Sequence, residues 1–272
     1  MKAYRLLCLT FSTLALASTA SATELCGDNF QGEILKGSAP DAKKVIFNDK
    51  QISISENGDF LIAFGRDEKP EQSIIIDGKT YKIDVSPQKW DIQNIKGLPP
   101  KKVTPSEDDQ KAIARERTEI RGAQTEDTLD TYWEKGFIKP VEGRISGTFG
   151  GQRILNGEKR NPHQGLDIAA LEGTDIKSSG DGIVTLAGYD YFYSGNVVVV
   201  DHGHKLFTIY AHMKDISVKA GDIVSQGDII GTVGKTGRAT GPHLHWGASL
   251  NSIRFDPSSL LKLKNNKNCF SL

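Results

Sequence analysis

Residues 237–246 read Gly-Arg-Ala-Thr-Gly-Pro-His-Leu-His-Trp, and this stretch sets what the rest of the chain must provide. Gly237 to Pro242 make a turn. His243-Leu244-His245-Trp246 then alternates polar and apolar residues, which is strand periodicity, so His243 and His245 share a face while Leu244 packs behind. Two imidazoles on one face of a strand that starts at a turn suit a site at the edge of a cleft. All six histidines of the chain (His163, His202, His204, His212, His243, His245) fall within residues 163–245. His163 and Asp167 stand in Pro162-His-Gln-Gly-Leu-Asp-Ile-Ala-Ala170, where Gly165 and the β-like residues after it indicate a loop entering a strand rather than a helix. A histidine, a carboxylate and two more histidines, with no cysteine nearby, exclude a thiolate-type structural zinc site. They favour a catalytic zinc, which takes three N or O ligands and keeps a fourth position open.

The surroundings are β-type. From Phe137 onward the chain is glycine-rich, with β-branched or aromatic runs at Val197–Val200, Phe207–Tyr210 and Ile229–Val233, and no segment carries a helical period. An all-β domain with strands packed on strands is expected over 136–265, followed by a short tail at 266–272. His202 and His204, in Asp-His-Gly-His at a strand-to-turn junction, read as structural rather than as a second metal site. Gly234-Lys235-Thr236 ends like a phosphate-binding loop. Ile229 stands where that motif needs its first glycine, and a strand follows instead of a helix, so no phosphate cradle is expected.

Upstream, residues 1–22 carry Lys2 and Arg5, a twelve-residue apolar run from Leu6 to Ala17 and the small-residue site Ala20-Ser21-Ala22. That is the pattern of a cleaved secretory signal, and the run is too short to span a bilayer. A periplasmic or otherwise secreted location follows, with no integral membrane segment after cleavage. The chain has 34 basic and 34 acidic residues in 272, so no global basic field invites nucleic acid. Cys26 and Cys269 remain in a compartment that permits a disulfide, and the sequence leaves open whether they pair. Residues 23–95 show short alternating strands around Asn57-Gly58 and Asp77-Gly78, which predict hairpins in a small β-sandwich. Residues 96–135 form a linker: Pro99, Pro100 and Pro105 stiffen it, and Ser106 caps a charged, solvated helix running to about Thr125. Lys101-Lys102 is a weak candidate for a basic binding site.

Six stretches, HQGLDIAA (163–170), GDGIVTLAG (180–188), GNVVVVDHG (195–203), YAHM (210–213), VKAGDIVSQGDIIGTVGKTG (218–237) and GRATGPHLHW (237–246), occur in an order that resembles the lysostaphin-like, or LytM-type, zinc metallopeptidases. GRISGTFGG (143–151) and Arg153 resemble the family's lead-in. The resemblance implies a β-sandwich or barrel-like catalytic domain, one zinc ion per chain held by His163, Asp167 and His245, and two catalytic histidines, His212 and His243, outside the metal's own ligands. It further implies a zinc-dependent endopeptidase acting on peptidoglycan stem peptides or cross-links. The region including WDIQNIKGLPPKKVTP (90–105) resembles the ancillary domain of periplasmic members, whose role would be positioning or covering the cleft. The sequence leaves open which of His212 and His243 is the general base and which the donor, with His243 the favoured base.

Two rival classes compete. Relatives with eroded metal sites bind peptidoglycan and regulate other wall hydrolases, with a regulatory protein partner not identified by sequence; here every motif position is filled. A lipoyl- or biotinyl-type carrier barrel shares the glycine rhythm of VKAGDIVSQGDIIG, but Lys235 does not sit in a carrier's hairpin motif.

Overall fold

The computed structural model describes residues 23–96 and 106–272. The secretory signal expected at 1–22, and the proline-rich stretch at 97–105 with Lys101 and Lys102, lie outside the described residues.

Eight strands precede the helix: β1 (Glu24–Cys26), β2 (Ile34–Ser38), β3 (Val45–Phe47), β4 (Lys50–Ile52), β5 (Asp59–Ala63), β6 (Glu71–Ile76), β7 (Lys79–Asp84) and β8 (Ile92–Ile95). After α1 (Glu107–Gly122) come β9 (Arg144–Gly147), β10 (Gln152–Leu155), β11 (Glu158–Lys159), β12 (Gly165–Ala169), β13 (Asp175–Lys177), β14 (Gly182–Tyr191), β15 (Gly195–Asp201) and β16 (Leu206–Ile216). The last are β17 (Ile223–Val224), β18 (Ile229–Val233), β19 (His243–Leu250), β20 (Ile253–Phe255) and β21 (Cys269–Ser271). Among the described residues the fold is all-β, with one α-helix between two β-domains.

In the first domain, a sheet ordered β21-β1-β2-β5 faces one ordered β4-β3-β6-β7. Leu25, Leu35, Val45, Phe60, Phe64 and Ile74 fill the space between them. The Asp77-Gly78 turn joins β6 to β7 as expected, with Ile76 opposite Lys79. The hairpin expected at Asn57-Gly58 does not form: β4 pairs with β3, and β5 pairs with β2 in the facing sheet. The chain turns there, with Ser55 N donating to Asp59 O and Gly58 N donating to Ser55 O. An Asn-Gly dipeptide signals reversal without saying which strands it joins. The true hairpin is one segment earlier, at Asn48-Asp49, whose φ of 50° and 59° suits a type I′ turn.

Residues 269–271 do not hang free. β21 completes the first sheet beside β1, Cys26 lies opposite Cys269, and the two form a disulfide with Cα atoms 4.0 Å apart.

The second domain is a ten-stranded sheet whose main path runs β17-β14-β15-β16-β19-β12-β9. Its inner face buries Ile168, Val198, Val200, Tyr210, Leu244 and Trp246. Ile34, Leu61 and Ala63 of the first domain join that same cluster, so the two domains share a core. The opposite face carries a second apolar set, Val197, Val199, Phe207, Ile209 and Ala211. Helix α1 lies against this outer face through Ile120. Ser106 caps it as expected, in a reciprocal capping box with Asp109.

Candidate metal and catalytic centre

The sheet register assembles the site. β12 and β19 run antiparallel with Asp167 opposite His245, and β16 places Ala211 opposite His245 on the other side. Directly opposed residues point to the same face, so Asp167 and His245 join Ile209 and Ala211 on the outer face, while Leu244 and Trp246 are fully buried behind. His163 enters from the loop before β12. Gly165 makes that entry feasible: a Cβ there would stand 2.5 Å from Trp246 O and 2.8 Å from the His245 ring.

Three donor atoms converge. His163 Nε2 lies 3.0 Å from Asp167 Oδ1 and 3.0 Å from His245 Nδ1, and His245 Nδ1 lies 2.9 Å from Asp167 Oδ1. His163 Nδ1–H donates to Thr148 O at 2.8 Å, which leaves Nε2 with a lone pair facing a carboxylate oxygen. Acceptors facing one another at this distance call for a cation between them. Tetrahedral zinc with N and O ligands at 2.0–2.2 Å keeps those atoms about 3.3 Å apart, within a few tenths of the spacing here. The electrostatics agree. Burial pushes the Asp167 carboxyl up, but the His163 and His245 rings beside it outweigh that and hold the group far below the usual carboxylate range. Burial lowers His163, yet the neighbouring Asp167 carboxylate carries it above its ordinary value. Burial holds His245 below its own. The donor set of His163, Asp167 and His245 therefore fits one divalent metal.

His212 and His243 stand beside it. Strand alternation would send His212 to the face opposite Ala211. Its φ of 62°, in the left-handed region, breaks the alternation and brings the ring to 4.7 Å from His243 and 6.0 Å from His245, centre to centre. Such backbone strain at a non-glycine residue costs of order 1–3 kcal/mol and concentrates at functional sites. His212 Nδ1–H donates to Thr236 O at 2.9 Å, and His243 Nδ1–H donates to Gly241 O at 2.8 Å. Both rings therefore hold their protons on Nδ1 and offer Nε2 as an acceptor. Burial, reinforced by His245, pushes His212 down to about 4. His243 Nε2 is 3.8 Å from Asp167 Oδ1.

The remaining histidines stay out of the site. His202 is buried, bonded to Asp181 O and Thr208 Oγ1, and packs edge-on against Phe137. His204 is buried beside Trp133. The Gly234–Thr236 turn cradles no phosphate; it contributes the Thr236 carbonyl that orients His212, and Thr236 Oγ1 ties the turn to Met213 O. Composition and motif spacing carry no signal for the carbonyls of Thr148, Thr236 and Gly241, because every residue has one.

Helix α1 is not simply solvated, contrary to expectation. It forms one wall of a cleft of about 1100 Å³ whose other walls include His245, Gln164 and Tyr193. Its buried residue is an acid, Glu116.

Comparison with known proteins finds relatives over the residues that surround this cluster. The model of peptidase family M23 matches residues 161–257. Peptidoglycan DD-endopeptidase ShyA of Vibrio cholerae is 46% identical over 110 residues, which is 39% of this chain and 25% of that protein. DD-carboxypeptidase/endopeptidase Mpg of Neisseria meningitidis is 40% identical over 124 residues, 45% of this chain and 28% of that protein. The chain thus matches only about a quarter of the length of these curated relatives. A crystal structure from Pseudomonas aeruginosa, assigned to peptidase M23, superimposes with a TM-score of 0.66 at 29% identity, covering 87% of this chain and 96% of that one. Residues 161–257, with their His-Asp-His cluster, are a peptidase family M23 domain.

Proposed function

We propose that the chain is a secreted, periplasmic zinc metalloendopeptidase that hydrolyses peptide bonds in peptidoglycan stem peptides or cross-links. The observation that carries this reading is the convergence of His163 Nε2, Asp167 Oδ1 and His245 Nδ1 within 3.0 Å of one another, with two further imidazoles alongside. The relatives named for peptidoglycan endopeptidase activity support the substrate class.

When bound by His163, Asp167 and His245, zinc would supply Lewis acidity and lower a water's pKa to about 7. The protein's own groups divide the remaining work. His243, with its proton held on Nδ1 by Gly241 O, presents Nε2 near the ligand cluster as general base. His212 is neutral in the resting protein, its low pKa and its bond to Thr236 O leaving a lone pair at Nε2. It becomes a donor only after accepting a proton from the attacking water, a state that negative charge developing on the scissile carbonyl favours. The outer-face residues Ile209 and Ala211 form an apolar floor beside these groups.

The test is zinc content and muropeptide cleavage measured together on purified protein. About one zinc per chain with cleavage that disappears in His163→Ala supports the reading; cleavage by the alanine variant at the parental rate overturns it.

A further inference from the structure

Glu116 is the one buried residue of a sixteen-residue helix otherwise covered in charge. A helix normally docks through an apolar stripe. This one docks through a carboxylate. Tyr193 N donates to Glu116 Oε2 at 2.8 Å, Ser194 N donates to Oε1 at 3.0 Å, and Ser194 Oγ donates to Oε1 at 2.5 Å. Two consecutive backbone N–H groups and a hydroxyl, each aimed at a carboxylate oxygen, are a built anion-binding concavity. The loop is bracketed by Asp190 and Gly195, at φ of 57° and 62°. Gly195 is fixed by contact, since a Cβ there would meet Thr236 Oγ1 at 2.2 Å.

Its place matters. Ser194 O accepts from His212 N at 2.8 Å, and Tyr193 O accepts from Arg238 N at 3.0 Å. The concavity is therefore one residue from a catalytic histidine, on the same cleft as His245. A stem peptide ends in a free α-carboxylate, which the backbone inside a peptide chain lacks. We infer that the Tyr193 and Ser194 amides with the Ser194 hydroxyl form a carboxylate-binding subsite for the substrate peptide, and that Glu116 fills it from within the chain. The inference rests on the reading of this groove as a peptidase cleft. Elsewhere along the helix Tyr191 Oη donates to Glu119, and Ile120 touches the outer apolar face. A helix held this way can yield to a competing carboxylate. An internal occupant reduces apparent affinity by the fraction of molecules in which the site is free.

The experiment uses ¹⁵N-labelled protein spanning residues 23–272, as parent and as Glu116→Ala, titrated with N-acetyl-D-alanine and, separately, with its carboxamide. In Glu116→Ala the carboxylate should produce saturating shifts at the Tyr193 and Ser194 amides, the carboxamide none, and the parent should need at least tenfold more carboxylate for the same shift. Muropeptide kinetics should show KM about tenfold lower in Glu116→Ala with kcat little changed. If the variant keeps the parental sheet resonances but those two amides ignore the carboxylate, or respond equally to the carboxamide, the subsite is overturned. Should Glu116→Ala fail to fold, Glu116→Leu, which keeps bulk on the helix but offers no acceptor to the two amides, carries the same readout. Saturation without muropeptide cleavage by any variant would sink the proposed activity and leave the subsite standing; cleavage without saturation would do the reverse.

Discussion

Arg66 Nε donates a hydrogen bond to Gly150 O at 2.7 Å, and through that contact the first domain holds the loop that orients His163. Gly150 N donates to His163 O at 2.9 Å, and Thr148 O accepts a hydrogen bond from His163 Nδ1–H. Trp90 closes the clamp: its ring lies 2.1 Å from where a Cβ on Gly150 would be, 5.8 Å from the Phe149 ring centre and 5.6 Å from the Arg66 guanidinium. The ancillary domain therefore acts on the site from behind.

Arg66→Ala should loosen the Thr148–Gly151 loop and weaken zinc binding about tenfold, the lower end for loss of an outer partner of a ligating histidine. A competition titration against a chromogenic chelator measures this directly. Unchanged affinity in a folded variant would show that the loop holds itself.

Ligands and catalysts should separate. Asp167→Asn and His163→Ala should lose most bound zinc together with cleavage. His243→Ala should keep its zinc while kcat falls about 10²–10⁴-fold, the range for loss of a general base. Metal analysis paired with kinetics on each variant makes the division, and zinc loss from His243→Ala would move that residue into the ligand set.

The site was legible because its chemistry is encoded in rare residue types at fixed strand spacing. His243, His245 and Asp167 need only alternation and an antiparallel register to meet. His212 was legible through its motif but not through periodicity, since its left-handed φ breaks the parity that strand reasoning relies on. Glu116 was illegible. An acid in a helix of acids and bases reads as solvated, and only the fold reveals that two amides wait for it. The misassigned Asn57-Gly58 hairpin has the same origin, because pairing across a sandwich is decided by which sheet the next strand joins.

Burial pushes the His202 imidazole down to about 4. It stays neutral in the folded protein, whereas the unfolded chain takes up a proton near pH 6.5. Stability from this residue is thus complete above about pH 6.5 and is lost as the pH falls toward 4, by about 2 kcal/mol at pH 5. Denaturant unfolding at pH 7 and pH 5 should show the loss, and His202→Gln should flatten that part of the profile. An equal pH dependence in the variant would assign the loss to other groups.

Replacing Cys26 and Cys269 together by serine should cost about 2–5 kcal/mol, since the bridge closes a very long loop. Hydrogen exchange should quicken first in β1 and β21 while β12 and β19 stay protected. Uniform exchange across both domains would mean that the shared core unfolds as one unit.

Because the sheet opened by Glu24 is completed only by Ser271, the first domain to emerge from a ribosome or a translocation channel is the last to be finished. Its sandwich must wait, one edge bare, until residues 269–271 arrive, so a chain interrupted just before them would retain His163, Asp167 and His245 and still lack the closing strand. A change at Cys269, Phe270 or Ser271 thus disturbs a sheet whose other members lie more than two hundred residues earlier in the chain.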